Sequence, residues 1–126
     1  MGILKMKTYE KVDFAVTYEG RTQLEQWGNQ PYNEYTIELT TDGRTADFPF
    51  YTGLGWGRQP NIKDVLNSLV LDYIYYSTLS ELVDELGYTH EKAKTIFNDI
   101  EINNEKLERL FSKHEIEELQ SELKDY

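Results

Sequence analysis

Carboxylates are the most numerous side chains in this sequence that could do chemistry, and they are spread unevenly. The 126 residues contain 23 Asp and Glu against 13 Lys and Arg, a formal net charge of -10. Residues 64–126 carry 15 acidic and 6 basic side chains, whereas residues 1–63 carry 8 and 7. Such a charge asymmetry affects which partners a protein binds rather than how it folds, and here it predicts a basic surface on the partner. The alternative interpretation is a solvated helical face that only keeps the protein soluble.

Two groups of carboxylates are candidates for contacting a basic surface. The first group lies in the stretch from position 64 to 91, which has six acids and no Lys or Arg, and comprises Asp72, Glu81, Asp84 and Glu85. The second group recurs at i, i+4 and i+7 of a predicted helix and comprises Glu101, Glu105 and Glu108. Its carboxylates recur about every 5 Å along the helix axis. A DNA strand presents a phosphate about every 3.4 Å, so this helix could fill a groove built for nucleic acid.

Some observations favour the solvated-face interpretation for the second group. Lys94, Lys106 and Arg109 offset part of its charge, and the i,i+4 pair of Glu105 with Arg109 is common on solvent-exposed helices. The first group has no such offset in the sequence. It is therefore the better candidate for imitating phosphates.

A glycine-rich segment, Gly53-Leu-Gly-Trp-Gly-Arg58, lies between a predicted strand and a predicted helix. Its spacing lacks the last glycine of a dinucleotide-binding loop and the Lys-Ser or Lys-Thr of a P-loop. The segment is therefore expected to form a tight corner rather than a phosphate site. Trp56 and Arg58 at its tip would be good anchors for a protein partner.

Catalysis, cofactors and metal binding are not expected. The chain has no Cys, and neither His90 nor His114 has a second histidine at i+3 or i+4. No Ser-His-Asp arrangement can be argued from the sequence. The acidic balance argues against direct contact with nucleic acid or anionic lipid. No apolar run approaches a membrane span and no signal-peptide core is evident, so a cytoplasmic location is expected.

The spacing of apolar residues along the chain predicts the strands and helices that would position these residues. Apolar and polar residues alternate over residues 9–18, 32–40 and 46–50, which predicts three strands. A loop is expected over residues 19–31, which contain Gly20, Gly28, Asn29 and Pro31. Asp42-Gly43 predicts a tight hairpin turn. Pro49 predicts that the third strand lies at a sheet edge or that residue 49 faces outward.

Beyond residue 60 the period changes to that of a helix. Seven apolar residues from Ile62 to Ile74 follow one helical stripe after the N-cap candidate Asn61, while Leu71 and Tyr75 lie off it. Capping residues predict further helices that begin near Thr78, Thr89 and Ser112. The expected fold is α+β, a three-stranded antiparallel β-meander followed by about four helices. One domain is expected over residues 1–126, with strands and the glycine-rich loop in 1–60 and the acidic helical part in 61–126.

Several short motifs between residues 46 and 111 resemble a family of small proteins from phages and other mobile elements. They are Phe48-x-Phe50-x-x-Gly53-x-Gly55, Pro60-x-x-x-Asp64-Val65-Leu66-x-x-Leu69-x-x-Asp72, Glu85-Leu86-Gly87-Tyr88, and the segment from Asn104 and Lys106 to Leu107 and Leu110. Small acidic proteins from that source include anti-restriction and anti-CRISPR proteins. Several inhibitors of the type II CRISPR effector nuclease mimic DNA at the site that reads the PAM, the short DNA motif beside the target. The resemblance implies a source and a class of partner, and it transfers no binding residue.

Three functions are compatible with the sequence. The first is an inhibitor that occupies the basic nucleic-acid groove of a defence nuclease, foremost a CRISPR effector, because carboxylates are good decoys for the Arg forks that read a PAM. The second is an acidic adaptor or regulatory module that does not mimic DNA. It would bind a protein through Trp56, Arg58 and the helix predicted after Asn61, which is apolar on two sides. The third is a phage morphogenesis or housekeeping protein whose acidity only maintains solubility.

Overall fold

Three antiparallel strands and four helices form the part of the chain that the structure describes. The computed structural model describes residues 8–23, 30–76 and 78–123. The strands follow the sheet order β1 (Asp13–Gln23), β2 (Pro31–Thr41) and β3 (Arg44–Gly53). The helices are α1 (Ile62–Tyr75), α2 (Leu79–Asp84), α3 (His90–Leu110) and α4 (Lys113–Leu123). The predicted α+β fold, a β-meander followed by four helices, is confirmed.

The β2–β3 hairpin forms where Asp-Gly predicts it. Asp42 has φ of 50° and Gly43 has φ of 76°, the two positive values that this turn requires. Thr41 therefore pairs with Arg44, and the turn fixes the register of both strands. Pro49 is exposed on β3, which is an edge strand, as predicted.

The predicted ends of β1 are wrong. Residues 8–11 form a short 3-10 turn rather than strand, and β1 continues to Gln23 through the first part of the predicted loop at 19–31. Gly20 has φ of 108° where the register with β2 shifts after Tyr18. This glycine marks a β-bulge inside the strand and not the end of the strand. Gly28 and Asn29 of the predicted loop lie outside the described residues.

Helix α1 begins where the sequence predicts. The Asn61 side chain accepts a hydrogen bond from the Asp64 amide, and the Asp64 carboxylate accepts one from the Asn61 amide. This reciprocal pair satisfies amides that the helix itself leaves without partners. Leu71 and Tyr75 are 41% and 55% exposed, so the second apolar side of the helix lies at the surface.

The later helix boundaries also agree with the capping residues. The Thr78 and Thr89 side chains cap α2 and α3. Gly87 follows α2 with φ of 71°, a conformation that glycine adopts without strain. Ser112 and Glu115 exchange side-chain to backbone bonds at the start of α4. None of the helices in the described part of the chain is long and apolar enough to cross a bilayer.

The core consists of two clusters. The larger one fills the space between one face of the sheet and the helices α1, α3 and α4, and includes Ile37, Leu39, Phe48, Leu66, Leu107, Phe111 and Leu119. The smaller one joins α2 to α3 through Leu82, Ala93 and Ile100. Two bonds tie α3 to the sheet: Lys106 Nζ donates to the Asp47 carbonyl at 2.9 Å, and Arg44 Nη1 donates to the Arg109 carbonyl at 3.1 Å. These contacts fix which side of α3 faces solvent.

Candidate acidic interface

Helix α3 crosses α1 and leaves a groove on each side of the crossing. The first, here called the acidic groove, has a volume of about 910 Å³ and runs between α3 and the C-terminal end of α1. The second, here called the Asp72 cleft, has a volume of about 420 Å³ and is bounded by β3, α1 and α3. Buried Ile100 and exposed Ile102 line both grooves, so this part of α3 stands between them.

The three carboxylates predicted on one face of α3 lie together at the acidic groove. Glu101, Glu105 and Glu108 are exposed and line it, beside the aromatic side chains Tyr73, Tyr76 and Phe97. We call the three glutamates the acidic ridge. No Lys or Arg occurs among the described residues that line this groove. Lys106, which the sequence pairs with this stripe, lines the Asp72 cleft on the other side of α3. Lys106 therefore offsets less of the negative charge of the ridge than the sequence indicates.

The Tyr73 hydroxyl connects the ridge to α1. It donates a hydrogen bond to Glu108 Oε1 at 3.1 Å. Partial burial raises the pKa of Tyr73, and the hydrogen bond to Glu108 and the charges of Glu108 and Glu117 raise it further. All three effects oppose a second negative charge at this position. The hydrogen bond to Glu108 and the two glutamate charges, unlike the burial, reflect a negative potential in this region.

Asp72 differs from the surface carboxylate that the sequence predicts. It is partly buried in its cleft, and this burial raises the pKa of its carboxyl from an ordinary 3.8 to about 6. Lys106 lines the same cleft, but its ammonium donates to the Asp47 carbonyl. Burial also raises the pKa of Tyr51 in the cleft, with smaller contributions from Glu34 and Asp99. Asp72 is therefore a cleft residue rather than part of an open acidic surface.

The other three acids of the first group lie on or beside α2. Glu81 is half-buried, and its carboxylate accepts a hydrogen bond from the Thr78 hydroxyl at 3.0 Å. Asp84 and Glu85 are exposed at the C-terminal end of α2. Neither lines the acidic groove or the Asp72 cleft. The structure thus does not gather the first group into one site, whereas it does gather the second.

The glycine-rich loop is held by an ion pair to the start of α1. Arg58 Nη1 and Nη2 donate to the two Asp64 carboxylate oxygens at 2.6 and 3.3 Å, and the guanidinium lies 4.8 Å from the centre of the Trp56 ring. Although partial burial opposes it, the bonds from Arg58 and from the Asn61 amide lower the pKa of Asp64. Arg58 therefore orders the loop, and Trp56 and Leu54 are its exposed apolar residues, at 38% and 41%.

A further acidic surface escaped the sequence analysis. The solvent face of the sheet carries exposed Asp13, Glu38 and Asp47, with Glu38 directly opposite Asp47 in the β2–β3 register. The half of the chain that is nearly neutral in composition thus also presents carboxylates. The signal was present, because counting back from the Asp42-Gly43 turn pairs these two residues.

The described side chains were compared with the requirements of a metal centre. Over residues 8–23, 30–76 and 78–123, no group of three His, Asp or Glu side chains is placed to hold a metal ion. Comparisons with protein-family models, with curated proteins and with solved structures found no match to this chain. The resemblance to phage and mobile-element proteins therefore stays a prediction from the sequence.

Proposed function

We propose that this protein is an inhibitor of a bacterial defence nuclease, encoded by a phage or mobile element, and that it acts without catalysis. Its target is the basic nucleic-acid groove of a CRISPR effector, which it occupies in place of DNA. The observation that carries the proposal is the acidic ridge: three exposed carboxylates on one helix face, beside a groove whose described lining contains no cation.

The spacing of the ridge supports contact with a row of cations. Successive glutamates are separated by about 6 Å and about 4.5 Å along the axis, from four and three residues at 1.5 Å each. Side chains that bind successive phosphates can reach carboxylates at such intervals. The ridge is also carried by a 21-residue helix that is anchored to the sheet, so little ordering is needed on binding.

The binding free energy of each carboxylate–cation pair decides whether the ridge could compete with DNA. Close charge pairs in protein interfaces are coupled by about 1.5–7 kcal/mol, whereas exposed pairs at a rim contribute less than about 1 kcal/mol. Three close pairs are enough for the ridge to compete with DNA, whereas three exposed rim pairs are not. The aromatic side chains beside the ridge favour close pairs, because they exclude water when a partner covers them.

Asp84 and Glu85 would add a separate acidic contact at the end of α2. Both are exposed, and α2 packs on α3 through Leu82 and Ala93. The proposal predicts that reversing both charges weakens inhibition while the fold persists, because neither side chain contributes to the core.

The test is capture of host nucleases on the immobilised protein, followed by a DNA-cleavage assay with the captured nuclease. The proposal requires that a DNA-binding nuclease is captured and that cleavage stops. It also requires that the affinity falls steeply between about 50 and 200 mM salt, as screened charge pairs do. Capture that is insensitive to salt would contradict charge mimicry.

One observation favours the adaptor function as a second candidate. Arg58 contacts both Asp64 and the ring of exposed Trp56, and exposed tryptophans are frequent interface anchors. Binding through Trp56 and Leu54 would be apolar. Truncation of Trp56 therefore distinguishes the adaptor from the inhibitor.

A further inference from the structure

The Asp72 cleft holds a carboxyl that the protein leaves without a partner. Within the described residues, no hydrogen bond or ion pair of the Asp72 side chain is seen; the residue is partly buried, its carboxylate oxygens still reach the solvent of the cleft, and the loss of hydration raises the pKa of the carboxyl. Burial of a carboxylate without a compensating donor is costly, so such groups are usually paired. Lys106, a cation that lines the same cleft, donates to the Asp47 carbonyl. The fold therefore keeps an acid in a cleft where it does not stabilise the fold.

The walls of the cleft suit a cation with a flat face. Phe50 and Tyr51 of β3 line one side, and Asp99 and Asn103 of α3 line the other. Its volume of about 420 Å³ lies within the range of about 300–1,000 Å³ that is typical of small-ligand sites. The lining thus combines two carboxylates with two aromatic residues, which are the side chains that a guanidinium pairs with and stacks on.

We propose that the Asp72 cleft binds one arginine side chain of the partner, with Asp72 as the partly buried carboxylate of the pair. This inference rests on the proposed function, because the Arg forks of a nuclease groove are the side chains it would capture. Arginine fits better than lysine: it remains charged when partly buried, it is weakly hydrated, and it stacks on aromatic rings. A metal ion fits less well, because the described residues here supply only the two carboxylates of Asp72 and Asp99.

The charged groups around the cleft determine the pH dependence. Asp99 and Lys106 face it from α3, and Tyr51 faces it from β3. Arginine binds the ionised form of Asp72, so affinity should fall as the pH decreases through about 6, where that carboxyl takes up a proton.

The experiment is a titration of the free protein with N-acetyl-arginine amide, followed by two-dimensional amide NMR at about 150 mM salt to screen surface charges. The expected result is saturable shifts at Ser68, Asp72 and Asn103. Asp72→Asn should weaken binding at least about tenfold, as expected when a charge-assisted pair is lost. Asp13→Asn, which removes an exposed carboxylate on the sheet, should leave the affinity unchanged.

Three results would overturn the inference: no saturable shifts, equal weakening by Asp13→Asn and Asp72→Asn, or equal affinity for N-acetyl-lysine amide. Because the titration contains no nuclease, such a result would remove the arginine pocket and leave the acidic ridge to be tested separately. Conversely, arginine binding that persists when no nuclease is inhibited would separate the cleft from the proposed function.

Discussion

Replacement of Asp72 by asparagine should stabilise the protein at neutral and alkaline pH. The Asp72 side chain is partly buried, and the loss of hydration raises the pKa of its carboxyl from 3.8 to about 6. An acid whose pKa is higher in the folded state than in the unfolded state binds more protons when folded. The free energy of unfolding of the wild type therefore falls as the pH rises through about 4 to 6. The substituted side chain carries a neutral amide, which removes this loss.

The pKa shift sets the size of the effect. About two pKa units at about 1.4 kcal/mol each correspond to about 2–3 kcal/mol. The free energy of unfolding of Asp72→Asn minus that of the wild type should therefore be about 2–3 kcal/mol larger near pH 8 than near pH 4. Urea unfolding of both proteins across this range measures it. Glu101→Gln, at an exposed position on α3, should show a change within about 0.5 kcal/mol. A stability difference between Asp72→Asn and wild type that does not change with pH would refute the reasoning.

Three further predictions concern the cap, the sheet and the loop. Asn61→Ala should destabilise the fold by about 1 kcal/mol, because α1 loses its capping bonds; an unchanged urea midpoint would contradict this. Glu38→Lys should stabilise it by about 0.2–1 kcal/mol, because a like-charge cross-strand pair with Asp47 becomes an opposite-charge pair; the same assay would refute it by showing a loss. Trp56→Ala should leave nuclease inhibition intact, whereas weakening of binding by about 2 kcal/mol or more would favour the adaptor.

The parts of the fold that the sequence predicts correctly are those that local interactions determine. Asp42-Gly43 sets both the turn and the register, and Asn61 sets the start of α1. The end of β1 was missed because Gly20 has the same local signature in a bulge as at a strand end. Only pairing with β2, which is not local, distinguishes the two.

The candidate site also contains features that local sequence determines and features that depend on tertiary packing. The acidic ridge follows from helical periodicity within α3, so Glu101, Glu105 and Glu108 could be grouped from the sequence. The burial of Asp72 depends on how α3 crosses α1 beside β3, and no pattern within α1 contains that information. The side of α3 that Lys106 occupies has the same origin, since its contact is with β3.

The most direct test of the proposed function compares two variants with the same change in charge. One neutralises the acidic ridge through Glu101→Gln, Glu105→Gln and Glu108→Gln. The other neutralises three exposed acids of the sheet face through Asp13→Asn, Glu38→Gln and Asp47→Asn. Both are assayed for inhibition of DNA cleavage by the captured nuclease.

Our account predicts that the ridge variant loses inhibition by about 1,000-fold or more, since three close pairs of at least about 1.5 kcal/mol each are removed. The sheet variant should inhibit like the wild type. If the ridge variant inhibits normally while the sheet variant does not, the acidic ridge is only a solvated face and the claim is wrong.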